Sequence, residues 1–201
     1  MKPQIKYIDG ETVFFYEEVT STMDIGRELA KDGKTGIVVA KKQTAGRGTN
    51  AKQSDWISNP GGLYLTWVFK YKPEDEETLY MVRAFVLTVT ETLRLFGLKN
   101  CGIKEPNDIF VDGKKISGVL VDVLPFGVLA GVGVNLNNDL GPMSGIAISF
   151  QEIKGKPADI DKFLAEMIKK FKSIQSEFPR NLRFLIRRWR KLVIKTTAVT
   201  R

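Results

Sequence analysis

Between residues 63 and 96 the apolar side chains change period once, and that change sets the class of fold open to the chain. Leu63, Leu65, Trp67 and Phe69 alternate with Tyr64, Thr66, Val68 and Lys70, a period of two that predicts a strand with one face in the core. From about Glu74 the spacing becomes three and four, through Leu79, Val82, Val86, Val89, Leu93 and Phe96, until Gly97 stops it; a helix is predicted there. Residues 4–9 and 12–18 surround Asp9-Gly10, and residues 109–111 and 116–124 flank Asp112-Gly113, so each pair is expected as a hairpin. Ser21 stands three residues before Asp24, the capping-box spacing, which predicts a helix from about Thr22 to Gly33. Residues 36–42 have the Val-rich centre of a buried strand, and residues 126–136 form a further apolar run whose Gly131 and Gly133 imply close approach of a backbone or a ligand. After a loop and a short strand, a second long helix runs through Ile160, Phe163, Leu164, Met167, Ile168, Phe171, Ile174 and Phe178. Beyond Pro179 a third carries Leu182, Leu185, Ile186 and Trp189. Strands before and between helices, without steady β-α alternation, predict an α+β domain: a mixed, mostly antiparallel sheet packed with helices. There is no internal repeat.

Composition narrows the chemistry. At 201 residues, 43% hydrophobic and 27% charged, one compact domain is expected. No histidine is present, which excludes serine–histidine–acid catalysis and His-ligated zinc. The single cysteine, Cys101, excludes an internal disulfide and fits a reducing compartment. The polar first nine residues offer no signal peptide and no run could span a bilayer, so a soluble, cytoplasmic protein is expected. The net charge of +8 is local: residues 179–201 hold eight basic residues and no acidic one, leaving 23 of each sign in the first 178. Such a stripe is either a solvated helix face or a footprint for nucleic acid or an acidic protein.

Residues 43–62 break the pattern with Gly, Asn, Ser, Thr and Pro, a long loop of the kind that carries function. Three glycine-bearing segments stand out: residues 43–48 (Gln-Thr-Ala-Gly-Arg-Gly), residues 104–108 (Lys-Glu-Pro-Asn-Asp) with 113–118 (Gly-Lys-Lys-Ile-Ser-Gly), and residues 131–135 (Gly-Val-Gly-Val-Asn). None has the spacing of a phosphate loop or opens a helix in the dinucleotide-binding manner. A Gly-Arg-Gly loop can nevertheless offer backbone N–H groups and a guanidinium to phosphate oxygens, and a separate lysine a compact charge. An anionic phosphoryl or carboxylate substrate suits that combination.

Taken in order, Ser21-Thr22, residues 43–48, Trp56 with Ser58, Pro60 and Gly61-Gly62-Leu63-Tyr64, Lys104-x-Pro-Asn-Asp, Lys114-Lys115-Ile-Ser-Gly-Val-Leu and Gly131-Val-Gly-Val-Asn135 resemble the biotin protein ligases over residues 16–136. The resemblance implies a class II aminoacyl-tRNA-synthetase-like biotin/lipoate ligase fold, with residues 1–191 as catalytic domain and 192–201 as the stub of a linker or of a missing small C-terminal β-barrel domain. It implies a two-step reaction in which biotin and Mg²⁺-ATP give biotinyl-adenylate, and the biotinyl group then passes to a lysine of a carboxylase's biotin carboxyl carrier domain. A DNA-binding domain, a membrane and nucleic acid are not expected, and members often pair by sheet edges as homodimers.

By the same resemblance Lys104 lies between carboxylate and α-phosphate, and Arg47 anchors the phosphate; these two are the expected catalytic residues. Ser21, Thr22, Gln43, Gly46, Lys104, Gly118 and Gly131 are the expected biotin contacts. Arg47, Gly48, Trp56, Asn107, Lys115 and Asn135 are the expected nucleotide contacts, and Asn107 with Asp108 the expected Mg²⁺ ligands. Each has a structural competitor: a helix cap for Ser21, a strand end for Gln43, core packing for Trp56, a solvated charge for Lys115, a bulge for Gly118 and Gly131, a turn for Asn107 and Asp108. Residues 49–55 depart from the family pattern, lacking its second phosphate-binding arginine, for which Lys52 is the nearest substitute, and Glu105 replaces its tryptophan. Competing readings are a lipoate–protein ligase, a nucleic-acid-binding module, and a degenerate paralogue that binds biotin without ligating it.

Overall fold

The computed structural model describes residues 2–48, 56–70, 75–176 and 182–194. Eight strands form one sheet: β1 (Gln4–Ile8), β2 (Glu11–Val19), β3 (Gly36–Gln43), β4 (Leu63–Phe69), β5 (Gly102–Lys104), β6 (Asp108–Val111), β7 (Lys114–Leu124) and β8 (Gly127–Val134). Their order is β1-β2-β3-β4-β8-β7-β6-β5. Every neighbouring pair is antiparallel except β2 and β3, so the sheet is mixed and mostly antiparallel as expected. The parallel pair needs a crossover, and α1 (Thr22–Lys31) supplies it. Both Asp-Gly turns have positive φ at both residues, 49° and 80° at Asp9-Gly10 and 48° and 80° at Asp112-Gly113, the geometry whose twist matches antiparallel strands.

The other helices are α2 (Asp75–Leu95), α3 (Phe150–Lys154), α4 (Ile160–Ser176) and α5 (Leu182–Leu192), with a 3₁₀ turn at Gly141–Met143. The sequence indicated neither α3 nor β5. Glu74, Phe178 and Pro179, with which the helix boundaries were argued, lie outside the described residues. Between α2 and α4 and the sheet lies the main core, in which Trp67, Phe69, Phe85 and Phe171 cluster with ring centroids 4.2–6.0 Å apart. Burying each such side chain contributes roughly 1.5–3 kcal/mol. On the opposite face α1 lays Met23 and Ala30 against Val68 and Leu129. This corrects the one-faced reading of residues 63–69: Tyr64, Thr66 and Val68 are as buried as Leu63, Leu65 and Trp67, because α1 covers the face that alternation assigned to solvent. After α5, Val193 bridges to Ile103 and Ile194 N–H donates to Ile103 C=O at 2.8 Å. Residues 195–201, the rest of the expected stub, lie outside the described residues.

Candidate active site

A cleft opens where α1 begins and β3 ends. It is lined by Ser21, Thr22, Gln43, Arg47, Gly48, Trp56, Asn107, Asp108, Lys115, Gly118 and Gly131, together with Met23, Leu65, Val119, Leu120, Val132 and Gly133. Sequence segments up to 112 residues apart thus meet because β4, β8 and β7 lie side by side beneath α1.

The floor is a chain of hydrogen bonds. Thr66 Oγ1 donates to Thr22 Oγ1 (2.9 Å), Thr22 N–H and Oγ1 donate to Gln43 Oε1 (2.7 and 3.1 Å), and Gln43 Nε2 donates to Ser58 Oγ (2.8 Å). Both ends of the Gln43 amide are fixed, so its orientation is set before any ligand arrives. Ser21 caps α1, its hydroxyl accepting from Met23 N–H at 3.3 Å. Asp24 is not the capping-box partner its spacing indicated. Its carboxylate binds the Arg47 guanidinium and lies 3.6 Å from Arg27, which in turn pairs with Asp122 on β7. The capping box forms instead at Ser149 and Glu152.

Lys115 Nζ lies 2.7 Å from Asp108 Oδ1 and 5.5 Å from the Trp56 ring centroid. The missing side chain of Gly118 leaves room for this pair, since a Cβ there would be 3.2 Å from Lys115 Cε; one on Gly131 would be 2.8 Å from Met23 Sδ. Asn107 Nδ2 donates to Val119 C=O (2.7 Å). Asp108, the one carboxylate that lines the cleft among the described residues, lies against Lys115, and no group of three or more acidic, histidine or cysteine side chains converges among those residues. Asn107 and Asp108, the residues expected to meet Mg²⁺, both line the cleft and bring one amide and one carboxylate to its wall.

The indole of Trp56 lies against Gly133, where a Cβ would be 2.4 Å from Cε2, and its buried Nε1 has no hydrogen-bond partner among the described residues. Beyond it is a second, mainly apolar hollow of Trp56, Ile57, Lys115, Asn135, Leu140, Met143, Ile146 and Ala147. Asn135 is its amide, with Oδ1 accepting from Asn138 Nδ2 at 3.2 Å. Tyr64 steadies the loop bearing Trp56 by donating to Asn59 C=O (2.6 Å), and burial pushes its phenol well above the ordinary value of 10.0.

Two expected residues are elsewhere. Lys104, at the end of β5, is exposed, with Nζ 4.7 Å from the Phe110 ring centroid, and does not line the cleft. Gly46 lies behind Trp56, where a Cβ would be 2.4 Å from the Trp56 carbonyl oxygen. Residues 49–55, including Lys52, lie outside the described residues. Sequence reasoning missed Thr66, whose signal was a hydroxyl within an otherwise apolar strand, and the walls of the second hollow, which come from an aperiodic loop.

Comparison with known proteins places this arrangement. The bifunctional ligase/repressor BirA of Bacillus subtilis is 28% identical over 162 residues, 75% of this chain and 49% of the relative. That of Escherichia coli is 25% identical over 136 residues, covering 64% and 42%. The chain therefore spans about half the length of the curated relatives it matches. Among solved structures, biotin protein ligase from Leishmania major in complex with biotinyl-5-AMP superposes with a TM-score of 0.78 at 26% identity, covering 94% of this chain and 84% of that one. The Aquifex aeolicus enzyme in complex with biotin and ATP gives 0.72 at 26%, covering 84% and 72%. Residues 15–139, more than half of the chain and the stretch that builds most of the cleft, match the model of the Biotin/lipoate A/B protein ligase family. With a family model matched over more than half its length and the fold of a solved biotin protein ligase, this chain belongs to that family.

Proposed function

We propose that the chain is the catalytic unit of an ATP-dependent biotin protein ligase acting in the cytoplasm. Biotin's carboxylate attacks the α-phosphorus of ATP, releasing pyrophosphate. The ε-amine of a lysine on a biotin carboxyl carrier domain then attacks the acyl carbon of the mixed anhydride, losing a proton and releasing AMP. The observation that carries this reading is that Trp56 and Lys115 are the two residues shared by both hollows. One hollow has a polar floor suited to an amide-like ring, the other apolar walls and a single amide suited to a planar base. Between them lies a cation.

The first step brings two anions together. A fixed ammonium at their meeting point lowers that barrier, and burial strengthens it. Lys115, oriented by Asp108, holds that position; Lys104, lying outside the cleft, does not take the role the family resemblance gave it. Arg47, steadied by Asp24, presents its remaining donors to the phosphate, and Trp56 shields the anhydride from water. Mg²⁺ enters with the nucleotide as part of the substrate. No histidine is needed, because the first nucleophile is already a carboxylate. Similarity to structures that hold biotin with ATP, or biotinyl-5-AMP, supports the same reading.

The test is incubation with Mg²⁺-ATP and either biotin or lipoate, followed by mass spectrometry. Biotinyl-adenylate is expected. Lipoyl-adenylate alone would move the chain to the lipoate ligases, and the absence of either adenylate would overturn the enzyme reading.

A further inference from the structure

The basic excess of the chain has a defined place in the fold. Helix α5 packs Leu185 and Trp189 inward and pairs Arg188 with Glu91. Arg183, Arg187, Arg190 and Lys191 stand on its opposite, exposed face at positions i, i+4, i+7 and i+8. None of the four forms an ion pair among the described residues. Exposed Phe184 and Ile194 flank them. The helix is also joined to the cleft: Trp189 Nε1 donates to Glu105 Oε1 at 2.9 Å, and Glu105 begins the turn that leads to Asn107 and Asp108 in the cleft wall.

We infer that the exposed face of α5 docks an acidic protein surface, that of the macromolecular amine substrate, so that its lysine is delivered to the cleft mouth. This deepens the ligase reading and rests on it. Charge complementarity selects the partner. Four unpaired cations with no acidic neighbour between residues 179 and 201 attract an anionic surface and repel a second copy meeting face to face. Among the described residues the stripe runs about 12 Å along the helix at a rise of 1.5 Å per residue and offers four cations, fewer than the six to ten phosphate contacts of a strongly salt-dependent nucleic-acid binder. Exposed Phe184 and Ile194 beside the charges supply apolar contact area of the kind a protein interface buries.

The test compares the full chain with Arg183→Glu/Arg187→Glu/Arg190→Glu, using a purified, net-negative biotin carboxyl carrier domain. The altered side chains are exposed, so thermal unfolding should be unchanged, and biotinyl-adenylate formation without acceptor should stay within about twofold of the parent. The KM for the carrier domain should rise about tenfold or more, and the parent's KM, not the variant's, should climb with salt. Titration of the fluorescently labelled carrier domain into each protein gives the binding arm independently: if no adenylate forms, the ligase reading fails while the surface is still tested. Equal carrier binding by parent and variant would overturn the proposal. So would tighter binding of a 20-nucleotide single-stranded DNA than of the carrier domain, or loss of self-association as the variant's only change.

Discussion

At the scale of single residues, the site turns on which lysine lies at the junction of the two hollows. Lys104 and Lys115 are both motif lysines, yet only Lys115 lines the cleft, and its ammonium is already held by Asp108. Lys115→Ala should therefore lower the rate of adenylate formation by about 100-fold, the loss that follows removal of one preorganised charge donor. Lys104→Ala should change it by less than about threefold, as for an exposed charge. Single-turnover measurements of the acyl-adenylate at saturating biotin and ATP decide between them, and the reverse ranking would return the catalytic role to Lys104. Gly133 offers a second test. A Cβ there would stand 2.4 Å from the Trp56 indole, so Gly133→Ala should displace the ring and weaken binding of biotin and ATP together, as measured by titration calorimetry. An unchanged affinity for both would mean that Trp56 does not define the wall the two ligands share.

At the scale of elements, two helices carry serine caps with different surroundings. Ser21 heads α1 and Ser149 heads α3, but only Ser21 lines the cleft. Replacing either with alanine should cost about 1 kcal/mol of stability, measured by urea unfolding, while only Ser21→Ala should also weaken biotin binding; equal affinities in the two variants would reduce Ser21 to a cap. The Ser21 cap and the turns were legible in the sequence; the Ser149 cap was not. Both Asp-Gly hairpins, α1, α2, α4 and α5 follow from turn chemistry and spacing, because each is local or long enough to show a period. Strand β5 has three residues and α3 has five, too few for periodicity to register. The two-sided burial of β4 was hidden for another reason: whether a strand's second face meets water depends on where a helix elsewhere in the chain comes to rest. The site divides in the same way. Its motif residues could be found, but only the pairing of β6 with β7, which places Asp108 opposite Gly118, distinguishes the lysine inside the cleft from the one outside. The partner of Asp24 was likewise a tertiary fact.

For the molecule as a whole, the absence of histidine removes the side chain that ordinarily titrates between pH 5 and 8, so stability should be nearly flat between about pH 6 and 8. The alkaline side is different. Cys101 is buried, its Sγ donating to Thr90 C=O at 3.4 Å, and burial pushes its thiol from 9.0 up to about 11. Between those values the unfolded chain releases the proton and the folded chain keeps it. The folded state then binds more protons than the unfolded state, and stability falls as pH rises, by roughly 2–3 kcal/mol across the window. Tyr64, shifted in the same direction by burial, adds to the loss above about pH 10. Urea unfolding of the parent at intervals from pH 7 to 11 should give a plateau followed by a decline that begins near pH 9. Cys101→Ala lowers the plateau through lost packing but removes the thiol from the linkage, so its decline should begin later and be shallower up to pH 10. Parallel curves for the two proteins would assign the alkaline loss to groups other than this cysteine.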